Sequence, residues 1–537
     1  MAAEQNTIMP EKDGVSKAPS VHSSTSVDHG HISKELDGHK TGDIAEGLYR
    51  EINDFSPEEL EDEMLKVRKL IDWRIMPIIC ITYTIQFLDK LSLNYASAYS
   101  LLPDLGLDQG QRYSWVAAIF NFGYLFWAIP ANLLIQRLPV AKYTGSMIFI
   151  WAILLICHIA AKNYGGILIL RFLLGMFEAS ISPAIMSICS MWYSRAEQPL
   201  RMCIFLSFNG VATMVGALLG FGLGHSHSTS LKSWQLIFLT IGVINAAWSI
   251  VFLWLMPDSP ANAKFLTHRQ RVVAVHRVAG NMIGVKTKQY KAAQVVEAFT
   301  DIKVLGVALI GLGCGVINGG VSNFASALIK GFGFSGINAT LLQLPLGAFE
   351  LLLVPTCGLI ATYIPNSRCI VLAGICLVPL GGLLGIRFTD LSHRWTLVGC
   401  SWLQYVVGAP VIISWNLLTT NVAGHTKRSF ANGLWFCFYA GGNVAGANIF
   451  FAREKPRYFS AITGLSICYG GIIAIAGLLL IAMRWENARR DAEFKRRGSA
   501  EVVYGVERGG GATDPRAVED GFNDVTDKQG KYFRYAL

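Results

Sequence analysis

Four ionisable residues lie inside two long apolar stretches of the sequence. Asp89 and Lys90 interrupt the first stretch. Arg171 and Glu178 interrupt the second. Each stretch is long enough to cross a bilayer as a helix, which takes about 20 residues. An ionised side chain at the centre of a bilayer costs about 2.5–3.5 kcal/mol on insertion scales, so such residues usually face protein or a water-filled cavity. We therefore expect the four side chains to meet in a polar cavity.

Polar residues recur at helical spacing along both stretches. The first set is Gln86, Lys90, Asn94 and Ser97, and the second is Arg171, Gly175, Glu178 and Ser182. Residues at these spacings share one face of an α-helix, and a polar stripe on an apolar helix is expected to face inward. If the stripes face each other, Asp89 can pair with Arg171, which leaves Lys90 to bind an anion. The residues around Glu178 in the sequence are mostly apolar. A carboxyl group in such surroundings is suited to carry a proton.

A structural role is the alternative for all four residues, since buried charges also lock helices together. We favour function for Glu178 and Lys90. For Asp89 and Arg171 a lock or gate is an equal alternative, because a paired Asp and Arg satisfy each other.

Other polar groups are scattered along the apolar stretches. Asn209, Asn416 and Asn443 are single amides, which in membrane helices usually form interhelical hydrogen bonds. Together with Asn94 they are also candidates for binding a substrate. Glu350 lies between two large apolar residues and is a candidate second acid.

The composition is that of a membrane protein. Hydrophobic residues make up 52% of the chain and charged residues 15%, against about 25% charged in soluble domains. The net charge of +9 comes from basic residues in the polar segments, which suits an anionic membrane surface rather than nucleic acid. The eleven cysteines lie almost entirely in apolar runs and form no Cys-x-x-Cys pair, so we expect neither a disulfide framework nor a zinc site.

Twelve apolar runs of membrane length predict an all-α membrane protein with twelve transmembrane helices. The predicted spans are 75–99, 113–135, 143–161, 166–190, 202–224, 234–255, 303–329, 340–363, 369–388, 395–418, 433–452 and 461–483.

Polar segments divide these spans into two groups of six. The predicted parts are an N-terminal tail with a short amphipathic helix (1–74), a six-helix bundle (75–256), a central loop (257–302), a second six-helix bundle (303–484) and a C-terminal tail (485–537). The amphipathic helix has a Ser56 cap and Pro57 at its first position, and the charged, Gly-rich C-terminal tail is predicted to be mobile. Both tails and the central loop are rich in Lys and Arg, which predicts that they are cytosolic.

The two groups of six look like repeats. Leu138-Pro-Val-Ala-Lys142 follows the second span and Ile364-Pro-Asn-Ser-Arg368 follows the eighth. Together with the two groups of six spans, the similarity between these two loops predicts two parallel six-helix repeats, the architecture of major facilitator transporters.

Motifs for enzymatic or ATP-driven chemistry are missing from the sequence. The residues from Gly331 to Gly336 spell a dinucleotide fingerprint, but they lie between spans without a preceding strand. There is no phosphate-binding Gly-Lys-Ser/Thr loop, no His-Glu-x-x-His and no nucleophile elbow. We therefore expect a protein that is not an enzyme and that needs no cofactor, driven by a proton gradient.

At the same residues the sequence resembles the anion:cation symporter family of the major facilitator superfamily, in particular its fungal allantoate-permease-like branch. The resembling stretches are Phe87-Leu-Asp-Lys-Leu-Ser-Leu-Asn-Tyr-Ala96, Pro130 to Pro139, Arg171-Phe-Leu-Leu-Gly-Met-Phe-Glu178 with Pro183, and Met191-Trp-Tyr193. The resemblance implies proton-coupled uptake of small organic anions. It implies that Asp89 and Glu178 respond to protons, that Lys90 contacts the substrate carboxylate and that Arg171 is the partner of Asp89.

The sequence as a whole is thus interpreted as a proton-coupled symporter for a small organic anion such as allantoate, ureidosuccinate or a vitamin-like carboxylate. The alternatives are an exporter of a fungal metabolite and a nutrient receptor that does not transport. We expect a monomer in the plasma membrane, with both termini cytosolic and with a small anion, protons and lipid as its partners.

Overall fold

The computed structural model describes residues 56–194, 197–225, 231–282, 291–364, 366–404, 406–496, 525–530 and 533–537. Outside these residues lie most of the N-terminal tail, eight residues of the central loop (283–290), much of the C-terminal tail, and residues 195–196, 226–230, 365 and 405 of the two predicted bundles. Within the described residues every regular element is helical, as the sequence predicted.

The first helix, α1 (Pro57–Ser97), joins the predicted amphipathic helix to the first predicted span without a break. Ser56 caps it as predicted, since the Glu59 amide donates to Ser56 Oγ at 3.3 Å and the Ser56 amide donates to Glu59 Oε2 at 3.5 Å. Pro57 occupies the first turn, where its missing N–H costs no hydrogen bond. A single continuous helix therefore connects the polar segment to Asp89 and Lys90.

Seven more α-helices complete the first half: α2 (Leu101–Asp104), α3 (Arg112–Arg137), α4 (Val140–Cys157), α5 (Tyr164–Glu178), α6 (Ile181–Trp192), α7 (Gln198–Gly224) and α8 (Ser233–Leu255). Two helices, α9 (His268–Met282) and α10 (Ala292–Thr300), lie between the halves in sequence. The second half contains α11 (Ile302–Gly331), α12 (Gly336–Leu341), α13 (Leu344–Tyr363), α14 (Arg368–Phe388), α15 (Arg394–Trp402), α16 (Gly408–Asn421), α17 (His425–Asn448) and α18 (Phe459–Arg496).

Nine helical stretches in the described residues are long and apolar enough to cross a membrane. The other three predicted spans are also helical, but each departs from a simple apolar rod. The first is part of the longer α1, the tenth is divided between α15 and α16, and the eleventh lies in α17, whose first turn is polar. The fold is therefore the predicted one of twelve membrane helices.

The same packing is repeated in both halves. In the first half α1 packs along α7 and α8, and α4 packs along α8. In the second half α11 packs along α17 and α18, and α14 packs along α18. These pairs occupy equivalent positions in the two groups of six, so the predicted internal doubling is confirmed by the helix packing.

The halves meet along two equivalent pairs, α7 with α13 and α3 with α17. At the first pair two glycines allow close backbone contact: a Cβ on Gly210 would lie 2.3 Å from the carbonyl oxygen of Gly347, and the reverse distance is also 2.3 Å. Any side chain at either position would collide with the opposing backbone, which explains why glycine is needed at this crossing.

The fourth span of each half is interrupted. In the first half the break lies between α5 and α6, and in the second it lies between α15 and α16. Pro183 and Pro410 are each the third residue after the break, where proline cannot donate the hydrogen bond to the carbonyl four residues earlier. Interrupted helices at corresponding positions of two repeats mark the binding region in many transporters.

The last described residues differ from the expectation of a mobile tail. Asp527 and Tyr535 are 0% and 1% exposed, and they pack at the end of the second half where α11 begins. Hydrogen bonds and ion pairs hold this segment in place together with the buried side chains of Tyr535, Ala536 and Leu537. These apolar residues are too few to form a run that hydropathy could reveal.

Candidate functional site

The four ionisable residues that the sequence singled out lie on two helices of the first half. Asp89 and Lys90 lie on α1, and Arg171 and Glu178 lie on α5. Asp89, Arg171 and Glu178 are 0%, 2% and 3% exposed, whereas Lys90 is half-buried. The three least exposed groups therefore face the interior of the protein, as expected.

Glu178 is the last residue of α5, directly before the break in the fourth span. Gln86 Nε2 on α1 donates a hydrogen bond to Glu178 Oε1 at 3.3 Å. The other carboxyl oxygen, Oε2, is buried and has no hydrogen-bond partner among the residues that the structure describes. The sequence placed Gln86 on the same polar stripe as Lys90 but did not assign it a partner, because facing stripes leave the register of the two helices open.

The expected contact between Asp89 and Arg171 is not formed in this structure. Their charged atoms do not come within 4 Å, although the two groups interact electrostatically. Arg171 Nη2 instead donates to Ser92 Oγ at 3.3 Å, and its guanidinium lies 5.4 Å from the centroid of the Phe238 ring. Neither carboxyl oxygen of Asp89 has a hydrogen-bond partner among the described residues.

Lys90 lies between acids of the two halves. It is in electrostatic range of Glu178 on its own half and of Glu350 on α13 of the other. Glu350 is 4% exposed, and its Oε2 has no hydrogen-bond partner among the described residues. The structure therefore brings Glu350, which the sequence could only mark as unexplained, into the electrostatic surroundings of Lys90.

The five groups form an unusual charge arrangement, which we call the central cluster: Asp89, Lys90, Arg171, Glu178 and Glu350. Within the part of the chain that the structure describes, none of its three carboxyl groups forms an ion pair within 4 Å, although buried charges are normally paired or neutralised. A proton removes the charge of an unpaired buried carboxylate. The geometry therefore favours a role in which these carboxyl groups gain and lose protons over a role in which they permanently lock the helices together.

The amide of Asn94, predicted to bind substrate, connects the two halves in this conformation. Asn94 Nδ2 donates to Gln343 Oε1 at 2.8 Å, and the Ser326 amide donates to Asn94 Oδ1 at 3.0 Å. Gln343 Nε2 in turn donates to Ser326 Oγ at 2.7 Å. Asn94, Ser326 and Gln343 thus form a closed network, which we call the amide gate.

A further contact closes the same end of the molecule. Tyr113 Oη, at the start of α3, donates to the carbonyl oxygen of Asn323 on α11 at 2.7 Å. The amide gate lies at the end of α1 and near the end of α11. The halves are therefore joined by hydrogen bonds at the end opposite to the beginning of α1.

Replacing Asn94 by alanine should loosen this closure. The change removes both hydrogen bonds and leaves the buried Gln343 Oε1 without its donor, which costs about 1–3 kcal/mol. With spin labels at the exposed residues Asp108 and His393, we expect a population with longer inter-label distances in Asn94→Ala. The exposed Cys157 and Cys437 would first be replaced by serine.

Asn448→Ala is a matched control for this experiment, because the Asn448 side chain bonds only to Val444 of its own helix at 2.9 Å. Its distance distribution should equal that of the unsubstituted protein. An unchanged distribution in Asn94→Ala would show that the amide gate does not hold this end closed.

The other three amides have different surroundings. Asn443 Oδ1 accepts from Asn318 Nδ2 at 2.7 Å, which joins α17 to α11 within the second half. Asn416 Oδ1 accepts from Thr420 Oγ1 at 3.0 Å on its own helix. Asn209 Oδ1 is buried without a hydrogen-bond partner among the described residues, next to the close crossing at Gly210. Of the four amides predicted to bind substrate, Asn209 is therefore the one whose side-chain oxygen lacks a donor.

The described residues contain no group of three or more His, Cys, Asp or Glu side chains that could hold a metal ion.

Comparisons with known proteins agree with this architecture. A family model described as Major Facilitator Superfamily matches residues 79–447. An uncharacterised transporter of Schizosaccharomyces pombe is 38% identical over 442 residues, 82% of each chain. Allantoate permease of Saccharomyces cerevisiae is 31% identical over 495 residues, 89% of this chain and 88% of the permease.

A solved structure supports the fold alone. It is a bacterial homologue of the human lysosomal transporter Spinster in an inward-facing, unoccupied conformation, which aligns with a TM-score of 0.57 at 13% identity. The alignment covers 78% of this chain and 97% of the other.

Proposed function

Because this chain belongs to the major facilitator superfamily, we propose that it couples the uptake of a small organic anion to protons. It is a secondary transporter and not an enzyme, and its relatives confirm the resemblance to the fungal allantoate-permease-like branch. The proposed substrates are allantoate, ureidosuccinate or a vitamin-like carboxylate. The allantoate permease supports the first of these at 31% identity.

One observation carries the proposal: among the described residues, three buried carboxyl groups without ion pairs share the central cluster with the half-buried Lys90, and two of them, Glu178 and Glu350, lie in its electrostatic range. When all five groups of the central cluster are ionised, three negative charges oppose two positive ones. A substrate anion entering this cluster would add a further negative charge. The site is buried and its effective dielectric constant is low, so repulsion between like charges is strong. A proton on one carboxyl group removes that penalty, so proton binding and anion binding favour each other.

Glu178 is the first candidate for the coupling proton. Its Oε2 faces no donor, so it can take a proton without losing a hydrogen bond, while Oε1 keeps its bond from Gln86. Asp89 is the second proton-responsive acid, and when it is ionised Arg171 is its nearest cationic partner on α5. Glu350 is the candidate acid of the other half.

Lys90 is the proposed contact for the substrate carboxylate. It is the least buried member of the cluster and lies between acids of both halves. When a proton neutralises Glu178, the ammonium group of Lys90 is released to attract an anion. Asn209 and Asn416 are proposed to add hydrogen bonds to the substrate, whereas Asn94 and Asn443 can do so only after their present bonds open.

Alternating access in this fold requires the two halves to rock around the central site. The amide gate holds one end closed, and we propose that this is the extracellular end of a plasma-membrane protein whose termini are cytosolic. Binding of both proton and anion would then permit the gate to open and close.

Expression in a Saccharomyces cerevisiae strain that lacks its allantoate permease tests this function. We expect growth on allantoate as the only nitrogen source and saturable uptake of radiolabelled allantoate that increases as the external medium is acidified. The pH effect follows because protons enter with the anion. Ureidosuccinate and a panel of vitamin carboxylates would be tested as competitors.

A protein with Lys90→Gln is the internal control, since it keeps the fold but lacks the proposed anion contact. Efflux without uptake from preloaded cells would favour an exporter. Binding without flux in either direction would indicate a receptor, and both results would contradict the proposal.

A further inference from the structure

Residues 525–530 and 533–537, which we call the docking segment, occupy a prepared site on the second half. Thr526, Asp527 and Tyr535 are 1%, 0% and 1% exposed. The site is formed by side chains of α10, α11, α16, α17 and α18, which come from three separate stretches of the chain. Burial of this degree distinguishes the segment from a tail that touches the surface by chance.

Two asparagines form hydrogen bonds with the main chain of the docking segment. Asn421 on α16 accepts from the Ala536 amide at 2.7 Å and donates to the Ala536 carbonyl at 2.8 Å. Asn487 on α18 does the same with Tyr535, at 2.9 Å in both directions. A side-chain amide that satisfies both backbone groups of one residue mimics a neighbouring β-strand, which is a common mode of peptide recognition.

Arg490 on α18 binds carbonyl groups at the other part of the segment. Its guanidinium donates to the carbonyl of Asp527 at 2.9 Å, to that of Phe533 at 2.8 Å and to that of Gly530 at 3.2 Å. An arginine that donates to three carbonyl groups holds them at fixed positions relative to one another, because its donors have a rigid planar geometry.

A buried charge cluster anchors the segment by its side chains. Lys427 on α17 is 0% exposed and contacts Asp527 at 2.6 Å, Asp301 at 2.7 Å and Glu297 at 3.0 Å. Lys303 on α11 donates to Tyr535 Oη at 2.8 Å, which in turn donates to Asp527 Oδ2 at 2.9 Å. Asp527 therefore connects the first turns of α11 and α17 through two lysines.

Two members of the charge cluster, Asp301 and Lys427, keep their charges across the neutral pH range. Burial alone would raise the pKa of Asp301, but Lys303 and Lys427 outweigh it and lower that pKa below 3.8. Its stabilising contribution is therefore present above its ordinary pKa and lost only as the pH falls through the lowered value. Burial alone would lower the pKa of Lys427, but Asp527 and Asp301 raise it above 10.5, so its contribution is present below that pH.

We propose that this end of the second half is a peptide-binding site for the chain's own residues 525–537, and that the docked segment holds the ends of α11, α16, α17 and α18 together. The function is mechanical. Rocking of two halves requires each half to move as one body, and the direct contacts of Lys427 with Asp301 and Glu297 join only the ends of α10, α11 and α17. The docking segment ties four of these ends to one another through hydrogen bonds and ion pairs.

The first experiment compares the full chain with a variant that ends at residue 524, both purified in detergent. We expect the shortened protein to melt several degrees lower and to show faster hydrogen exchange at residues 421–427. Adding a synthetic peptide of residues 525–537 should restore both quantities. A peptide carrying Asp527→Ala and Tyr535→Ala should not restore them, because it lacks both anchoring side chains.

The full chain with Gln529→Ala is the matched control, since Gln529 is exposed within the same segment, and it should melt like the unsubstituted protein. An unchanged melting temperature and exchange rate in the shortened protein would overturn the proposal. Equal rescue by the unsubstituted and the doubly substituted peptide would also overturn it, because the recognition would then not involve the buried side chains.

A second measurement links the site to transport and rests on the proposed function. Uptake of allantoate by the shortened protein in proteoliposomes is expected to fall at least tenfold and to recover when the peptide is enclosed in the vesicles. If the full chain transports no allantoate, the proposed function fails, but the melting and exchange results still decide the docking proposal independently.

Discussion

Replacing Glu178 by glutamine is expected to abolish proton-driven accumulation while leaving exchange intact. The amide oxygen can still accept the hydrogen bond from Gln86, and the amide nitrogen takes the place of Oε2, which has no partner. The variant is therefore a steric match for protonated Glu178 but cannot release a proton. A carrier held in this state can exchange anion for anion but cannot use the gradient.

Proteoliposomes loaded at a higher internal pH provide the measurement. One proton per substrate over one pH unit supplies about 1.4 kcal/mol, enough for about tenfold accumulation without a membrane potential. We expect this ratio for the unsubstituted protein and a ratio of about one for Glu178→Gln. Counterflow of labelled allantoate against unlabelled allantoate should continue in both.

Asp104→Asn is the control for loss of a carboxyl group outside the central cluster. Asp104 lies on the short α2 and pairs with Lys232 at 2.5 Å, and its neutralisation should leave accumulation unchanged. Undiminished accumulation by Glu178→Gln would remove Glu178 from the coupling mechanism.

The second large effect is expected for Lys90→Gln, which removes the proposed anion contact. A hydrogen bond to a charged group contributes about 1.5–3 kcal/mol, which corresponds to roughly 10- to 150-fold in affinity. We expect the Kd for allantoate to rise by this factor, as measured by calorimetry on the purified protein. Lys90→Arg keeps the charge and should change the Kd much less.

The melting temperature separates an effect of Lys90→Gln on binding from an effect on folding. Lys90 forms no ion pair within 4 Å in the described residues, so its replacement by glutamine should not lower the melting temperature. If Lys90→Gln and the unsubstituted protein bind allantoate equally well, the substrate carboxylate is bound elsewhere in the central cluster.

Helical periodicity was sufficient to identify most of the central cluster. The spacing of Arg171 and Glu178 places them on one face of α5, and the structure buries both. The cap at Ser56 could also be predicted, because it depends on residues only three positions apart. Such features are local, and the geometry of one helix determines them.

The partners of these residues could not be predicted in the same way. Asn94 bonds to Gln343, which lies 249 positions away, and the rotation and height of two helices decide such a contact. The same freedom explains why Asp89 and Arg171 do not touch in this structure although Gln86 and Glu178 of the same two helices do. It also explains why Glu350 could be marked as unusual from the sequence but not placed near Lys90.

Hydropathy and periodicity by themselves determined that the chain is a doubled, twelve-helix membrane protein that carries ionised groups at bilayer depth. Only the tertiary structure decided which groups meet across the halves and that Asp527 and Tyr535 are buried. The physical reason is that apolar surface and helix faces are properties of neighbouring residues. The amide gate and the docking segment instead depend on directional bonds between residues that packing alone brings together.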